Sequence, residues 1–280
     1  MFVLENTETR KVVGTNQIFA RIGSTWPFYS YHVTTMKQSS KELGRTFSAE
    51  MLSLCTDLDG ASEIGGLFLS PTERSAGIGK LLARSRYVFI GMHRHLFADR
   101  TLAELRGAHD ETGSSPFWDG VAGRFFGMSF QEADNFNALN GNQFIADLMP
   151  KHPIYTAMIP ESARAVMGVP HVSGRAAMRM LEDEGFVFDN YIDIFDGGPT
   201  MVAHTDRIEA IRKSRTAKVS AIGTRGEVPT HIIASGRLGT FRACLGDAIG
   251  DVMGDGVTID SEAAGLLKVG VGDSVTITPR

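Results

Sequence analysis

The sequence predicts an α+β fold made of two related halves and a small β-rich C-terminal region. A short apolar run, IGGLFL at 64–69, is typical of a buried strand and precedes a long stretch with helical spacing. The segments SPFWDGVAGRFFGMSF and AAMRMLEDEGFVFDNYIDIF both pattern as a helix, then glycine or aromatic residues, then a strand, which indicates the two halves. From about residue 216, short β-type runs alternate with glycine turns.

The composition excludes several classes of protein. Of the 280 residues, 42% are hydrophobic and 21% are charged, which excludes disorder as the main state. The net charge of -4 argues against a nucleic-acid partner. The sequence has no apolar run of about 18 residues that would span a bilayer. Its N-terminus lacks the basic and apolar regions of a signal peptide. We therefore expect a cytoplasmic protein with no membrane partner.

Short strands open the chain. Phe2–Leu4 and the segment from Lys11 are β-type and enclose a polar turn at 6–10. The strand at 64–69 should end at Pro71, because proline has no amide hydrogen to donate to a sheet.

The helix that follows has the most regular spacing in the chain. Apolar residues recur at helical intervals from Leu81 to Leu96. We expect the polar side of this helix to carry the basic residues Lys80, Arg84, Arg86 and Arg94.

Shorter elements are predicted downstream. Thr101–Gly107 fits a strand or a short helix. Ser115 and Pro116 predict the N-cap and first residue of a helix over 116–126. Further helices are expected between Pro160 and Gly168 and between Ser173 and Gly185, and a strand is expected over Tyr191–Phe195.

The turn between the strand at 64–69 and the long helix has the clearest chemical meaning. It places Arg74, Gly77 and Gly79 in an Arg-x-x-Gly-x-Gly spacing. Glycines let the backbone approach an anion, and the N–H groups at a helix N-terminus favour negative charge. The spacing matches neither the Rossmann fingerprint nor the Walker A motif. Two interpretations of this turn remain: a pyrophosphate-binding site, or a glycine-rich turn that binds no ligand.

A strand, this turn and a helix, in that order, resemble the acyl-CoA pyrophosphate motif of the GNAT N-acyltransferases. Longer segments resemble one family, the arginine N-succinyltransferases, much more specifically. They are ELRGAHDETGSSPFWDGVAGRFFGMSF, FIADLMPKHPIY at 144–155, LEDEGF at 181–186, NYIDIFDGGPT at 190–200 and DRIEAIRKSR at 206–215. The resemblance covers the chain from its first residues to about 215, and more loosely to its end.

This resemblance implies a GNAT-like fold and transfer of a succinyl group from succinyl-CoA to the α-amino group of L-arginine, the first step of arginine catabolism by this route. Succinyl-CoA would be a co-substrate, and no cofactor would be bound permanently. The turn with Arg74, Gly77 and Gly79 would bind CoA, and Leu67 aligns with the family's succinyl-CoA contact. Core packing is the alternative role for Leu67.

The resemblance also predicts an organisation in three parts. Residues 1–130 would form a GNAT-like half with the CoA-binding strand and helix, 131–215 a second half with the catalytic histidine, and 216–280 the β-rich region. Family members usually carry a further segment before the strand at Phe2. Its absence from this sequence points to a misassigned start, a fragment or a divergent form. We expect the missing segment to affect binding of the acceptor more than binding of CoA.

Two of the eight histidines stand out. By resemblance, His171 in VPHVSG occupies the position of the family's proton donor, and a histidine near neutrality suits such a transfer. His152, between prolines in PKHPIY, is the second candidate. His93 and His95 are two apart on a helix and face different directions, so we expect no metal site.

Other side chains have weaker signals. Arg106 and Arg175 are candidates for the succinyl carboxylate, and Asp110 and Glu111 for the substrate guanidinium. Buried roles are expected for the thiols of Cys55 and Cys244 and for the aromatic rings of Phe117 and Trp118.

Four alternatives remain at this point. The chain would be an ornithine-acting paralogue, one subunit of a heteromeric succinyltransferase, an inactive form that binds CoA or a partner, or a GNAT enzyme that uses acetyl-CoA. The sequence does not decide between a homo-oligomer and a hetero-oligomer.

Overall fold

The structure is a computed structural model that describes residues 1–74, 77–141, 143–227, 229–251 and 255–280. These residues form two compact units. Unit 1 combines Met1–Ile18, Ile64–Asp99 and His204–Arg280, and unit 2 combines Phe19–Glu63 and Arg100–Ala203. Each unit is therefore assembled from segments that are distant in sequence.

Strands and helices are mixed along the chain. The strands are β1 Phe2–Asn6, β2 Lys11–Phe19, β3 Ser30–Ser40, β4 Arg45–Cys55, β5 Ser62–Leu69, β6 Arg100–Glu104, β7 Ile154–Tyr155, β8 Val187–Asp193, β9 Pro199–His204, β10 Arg215–Gly223, β11 His231–Ser235, β12 Arg242–Gly246, β13 Ala248–Gly250, β14 Gly256–Asp260 and β15 Ser274–Pro279. The α-helices are α1 Ile78–Met92, α2 Pro116–Gly120, α3 Gly123–Phe126, α4 Phe130–Asn140, α5 Gln143–Leu148, α6 Glu161–Arg164, α7 Arg175–Asp183, α8 Glu209–Arg212 and α9 Ser261–Leu267. The predicted α+β class is confirmed.

In unit 1, β1, β2 and the part of β5 from Ile64 are neighbours in that order. The polar turn between β1 and β2 forms as predicted, because the Asn6 side chain accepts the N–H groups of Glu8 and Thr9. The β-rich C-terminal region forms a second sheet in the order β12-β11-β15-β10-β14-β13. Its core includes Val219, Ile259 and Ile277.

Helix α1 packs against the C-terminal sheet of unit 1. Leu81 and Val88 lie in one apolar cluster with Ile232 and Ala234 of β11. The helix is buried on most of its surface, and Arg86, expected on a polar face, is only 4% exposed. Its Nε donates to the Ala83 carbonyl oxygen at 3.1 Å, and burial lowers its pKa. The prediction of a solvated basic face was therefore wrong at this position.

Unit 2 contains a sheet in the order β6-β9-β8-β3-β4-β7. β3 and β4 pair as a regular antiparallel hairpin from Ser30 opposite Cys55 to Ser40 opposite Arg45. The main core of this unit contains Phe117 and Trp118, both fully buried, as the sequence predicts.

The helix predicted over 116–126 is two helices, α2 and α3. Ser115 is the N-cap as predicted, since its Oγ accepts the Trp118 N–H at 3.2 Å, and Pro116 follows it. Val121 has φ -118° and ψ -87°, outside the helical region, and so ends α2.

Four neighbouring strands of unit 2 meet at one edge of their sheet. β6 and β8 end there, while β3 and β9 begin there. Ser30 lies opposite Asp193, and the Leu105 N–H donates to the Pro199 carbonyl oxygen at 3.1 Å. The predicted strand over Tyr191–Phe195 stops at Asp193, because the Asp193 Oδ1 accepts the N–H groups of the second and third residues after it and turns the chain.

Candidate active site

The predicted CoA-binding turn lies in unit 1. Arg74 is exposed, and its Nε donates to the Leu69 carbonyl oxygen at 3.3 Å. Ser75 and Ala76, which complete the turn, lie outside the described residues. Gly77 is the N-cap of α1 and has φ 82°, in the left-handed region that favours glycine.

A cation lies beside this turn. A Cβ on Gly77 would overlap the Arg280 guanidinium, whereas a Cβ on Gly79 would meet Leu69 Cδ2 at an ordinary 3.8 Å. The N–H groups in the first turn of α1 and this guanidinium both favour an anion. The local chemistry therefore suits a phosphate group.

Leu67 lies in the second half of β5 and is partly buried. The next residue, Phe68, is 56% exposed. Gly66 has φ 56°, which interrupts the regular strand geometry immediately before Leu67. This part of β5 is therefore not simply a buried core strand.

His171 lies in unit 2, at the start of the short 3-10 helix Val172–Gly174 that leads into α7. Its backbone N–H donates to the Arg106 carbonyl oxygen at 2.7 Å. Its Nδ1 accepts the Ser173 N–H at 3.3 Å and lies 2.7 Å from the Ser173 Oγ. Because Nδ1 is an acceptor, the proton of the neutral ring is on Nε2. The ring is partly exposed.

His109 is a neighbour of His171 that the sequence did not single out. The two ring centroids are 6.1 Å apart. His109 Nδ1 lies 2.9 Å from the Gly107 carbonyl oxygen, which can only accept, so this nitrogen carries a proton. The His109 Nε2 is buried and has no hydrogen-bond partner among the described residues. His152, the second candidate, is exposed.

A cavity of about 660 Å³ lies entirely within unit 2, at the sheet edge where β6 and β8 end. Its walls include the aromatic rings of Phe28, Tyr29 and Phe130. Four acidic side chains and one arginine also line it: Glu104, Asp134, Asp193, Asp196 and Arg106. A cavity of this size can hold a small-molecule substrate.

The aspartates of this wall differ in their roles. Asp196 accepts the Gly107 N–H on Oδ2 at 2.7 Å and the Gly198 N–H on Oδ1 at 2.8 Å, so it holds the backbone. Asp193 uses Oδ1 for two backbone N–H groups of its turn. Burial and the neighbouring Asp196 charge raise the pKa of Asp193 to about 7.

Glu104 is the last residue of β6. Burial, with the charges of Asp193, Glu63 and Asp196, raises the pKa of its carboxyl well above the usual value. Among the described residues, nothing donates a hydrogen bond to it or forms an ion pair with it. Sequence reasoning missed both Glu104 and Asp193; the available signal was an aspartate inside the apolar segment YIDIF.

The other predicted charged residues lie at the surface. Asp110 is in an exposed turn, and hydrogen bonds from the Thr112 hydroxyl and the Ser114 N–H lower its pKa. Glu111 and Arg175 are also exposed. Arg106 is exposed and lies in the cavity wall.

The two thiols are poorly suited to act as nucleophiles. Burial raises the pKa of Cys55, and raises that of Cys244 to about 12. Neither forms a disulfide. Cys244 is buried, as predicted, whereas Cys55 is only partly buried.

Comparison with known proteins identifies the family. Residues 1–210 match the family described as arginine N-succinyltransferase beta subunit, and residues 215–279 match the one described as its C-terminal domain. The chain belongs to the arginine N-succinyltransferase beta subunit family. The resemblance found in the sequence motifs is thereby confirmed.

Individual relatives cover nearly the whole chain. The arginine N-succinyltransferase of Escherichia coli (strain 55989 / EAEC) is 41% identical over 278 residues, which are 99% of this chain and 80% of the relative. That of Enterobacter sp. (strain 638) is 44% identical over 246 residues, 88% of this chain and 72% of the relative. The solved structure of arginine/ornithine succinyltransferase subunit AI from Pseudomonas aeruginosa has a TM-score of 0.87 and 34% identity, covering 99% of this chain and 80% of that one.

The succinyltransferase family is one of acyl-transfer enzymes, and the site residues fit that chemistry locally. Unit 1 carries the turn predicted to bind an anion, and unit 2 carries a histidine with its proton on Nε2 and an acidic cavity. None of the helices in the described residues is long and apolar enough to cross a membrane.

Proposed function

We propose that this chain transfers a succinyl group from succinyl-CoA to the α-amino group of L-arginine, giving N2-succinylarginine and CoA, in the cytoplasm. Membership of the arginine N-succinyltransferase family carries this proposal. The tautomer of His171, with its proton on Nε2, supports it from the structure.

The reaction is a direct attack without an acyl-enzyme. The neutral amine nitrogen bonds to the thioester carbon, and the carbon–sulfur bond breaks. One proton leaves the nitrogen, and the departing CoA sulfur gains one. His171 in its protonated form donates this proton from Nε2, while its Nδ1–H donates to the Ser173 Oγ, 2.7 Å away. The neutral ring then accepts, at Nε2, the proton released by the amine nitrogen, so the imidazolium is restored.

Binding of succinyl-CoA is assigned to unit 1. The turn with Arg74, Gly77 and Gly79 binds the pyrophosphate at the N-terminus of α1, with the Arg280 guanidinium beside it. Leu67 contacts the acyl-CoA along β5. In unit 2, Arg106 is a stronger candidate than Arg175 for the succinyl carboxylate, because Arg106 lies in the cavity wall and its guanidinium can form two hydrogen bonds to a carboxylate.

The test is CoA release, followed with a thiol reagent, from succinyl-CoA and arginine. We expect arginine-dependent turnover, and a loss of about a hundredfold or more in kcat for His171→Ala. The matched control is His152→Ala, an exposed histidine whose removal should leave kcat unchanged. Turnover that survives in His171→Ala and falls in His152→Ala would reverse the assignment. Equal rates with acetyl-CoA would replace the proposed acyl donor.

Ornithine is the second candidate acceptor, because the relative of known structure is described as an arginine/ornithine succinyltransferase subunit. Assays of kcat/KM with each amino acid separate the two. If the chain binds succinyl-CoA but turns over neither acceptor, the proposal of a lone active chain fails, and a heteromeric or inactive form replaces it.

A further inference from the structure

The cavity of unit 2 combines features that the proposed catalytic role of His171 does not use. It lies where four neighbouring strands, β6, β9, β8 and β3, meet at one edge of the sheet. Four carboxylates and one arginine line it, so acidic groups are in clear excess. In the part of the chain that the structure describes, none of these carboxylates is in an ion pair.

Two buried hydroxyl groups near these acidic side chains have no hydrogen-bond partner among the described residues. Ser30 and Thr200 are 0% exposed, and neither hydroxyl has a hydrogen-bond partner among the described residues. Ser30 is paired with Asp193, and Thr200 with Tyr191, two residues before Asp193. Side chains of paired residues, and of every second residue along a strand, share one face of a sheet. Ser30, Thr200 and Asp193 therefore point to the same face.

Glu104 is on that face as well. Leu102, two residues before it in β6, packs in one apolar cluster with Tyr191 and Val202. Each of the four neighbouring strands thus contributes one polar group to the same face near the same edge: Glu104, Thr200, Asp193 and Ser30. Buried polar groups without partners are rare in proteins, so the two hydroxyls of this set, Ser30 and Thr200, indicate a missing ligand.

The chemistry of these four side chains favours a cation as the ligand. Two carboxylates with raised pKa values lie close together, and neither is in an ion pair with a described residue. A bound cation would favour their ionised forms. A metal ion is a poor match, because no group of three or more His, Cys, Asp or Glu side chains in the described residues is arranged to hold one. A guanidinium presents several N–H donors in one plane, which suits two carboxylates, and it stacks on aromatic rings such as Phe28, Tyr29 and Phe130.

We propose that this cavity is the acceptor side-chain site, in which Glu104 and Asp193 bind the guanidinium group of the acceptor amino acid. This inference rests on the proposed function for the identity of the acceptor. Asp193 has Oδ2 left for the ligand, and Asp196 is a positioning residue because backbone N–H groups occupy both of its oxygens. The backbone bond from His171 to Arg106 attaches the histidine loop to the cavity wall.

The kinetic test compares Glu104→Gln and Asp193→Asn with wild type. We expect the KM for arginine to rise about tenfold to a hundredfold in each variant, since a hydrogen bond to a charged group is lost. The KM for succinyl-CoA should stay within about twofold. The matched control is Glu161→Gln, the same chemical change at an exposed position of unit 2, which should leave both values unchanged. An unchanged arginine KM in both variants would overturn the proposal while the proposed function stood.

A binding test does not depend on turnover. Isothermal titration calorimetry of the wild-type chain should show arginine binding at least tenfold tighter than citrulline, its neutral isostere. Proton release on arginine binding at pH 7, measured in two buffers of different ionisation enthalpy, should accompany it and decrease in Asp193→Asn. Arginine binding without turnover would support this site and contradict the proposed function. Equal affinity for citrulline would overturn the site.

Discussion

The Ser173 hydroxyl and the His171 imidazole lie 2.7 Å apart, between Ser173 Oγ and His171 Nδ1. The backbone N–H of the same serine donates to Nδ1 as well. One residue therefore fixes both the orientation of the ring and the nitrogen that carries its proton. This arrangement makes Ser173 a positioning residue for the proposed proton donor.

We expect Ser173→Ala to lower kcat about fivefold, because a hydrogen bond of about 1 kcal/mol that orients the ring is lost. The KM for both substrates should change little. CoA release measured against pH gives the check, together with Ser173→Thr, which keeps the hydroxyl and should restore the rate. Val172→Ala alters an exposed neighbour in the same loop and serves as the control. An equal loss in Val172→Ala would show a general effect on the loop.

The pKa of Asp193 predicts a pH dependence of stability. Its folded value of about 7 is above the unfolded value of 3.8, so the folded state holds the proton more tightly. The contribution of Asp193 to the free energy of unfolding therefore falls as pH rises from about 4 to about 7. We expect the free energy of unfolding, measured with urea, to fall less between pH 5 and pH 8 in the Asp193→Asn variant than in wild type. Parallel curves for the two proteins would contradict the assignment.

Asp196→Asn should destabilise unit 2 by about 1–3 kcal/mol. Both carboxylate oxygens of Asp196 accept backbone N–H groups, and an amide would place an NH₂ against one of them. Urea unfolding measures the loss. Asp134→Asn makes the same change at an exposed position and should stay within about 0.5 kcal/mol of wild type.

Two glycines of the turn proposed to bind CoA should differ in their response to alanine. Gly77→Ala forces a side chain into the left-handed region and against the Arg280 guanidinium, so we expect a loss of about 1–2 kcal/mol. Gly79→Ala adds a methyl group in ordinary contact inside α1 and should keep or raise stability. Thermal unfolding compares them. Equal losses would show that Gly77 is not specially constrained.

Local signals in the sequence predicted much of the secondary structure. The apolar run at 64–69, the N-cap Ser115 and the alternating β-type segments after 216 all form the expected elements. These signals work because each depends on neighbouring residues: a strand ends at proline, and a hydroxyl caps the helix that follows it.

Features that depend on distant contacts were not predictable in this way. Arg86 has the spacing of a polar helix face, but the packing of α1 within unit 1 buries it. Glu104 and Asp193 come together because β6, β9 and β8 are neighbours in the sheet. Local sequence patterns do not predict this order of strands. Asp110 and Glu111, the residues predicted for the guanidinium, lie within the segment that begins ELRGAHDETG, and both are exposed.

The chain segments that form each unit also determine the order in which the two units can fold during synthesis. β1 and β2 precede unit 2 in the chain, but they belong to a unit whose second sheet begins at Arg215. Unit 2 is complete once Ala203 has emerged, so it can form while unit 1 still lacks its C-terminal part. Completion of unit 1 therefore depends on the C-terminal sheet that begins at Arg215, and contacts between segments so distant in sequence favour slow folding.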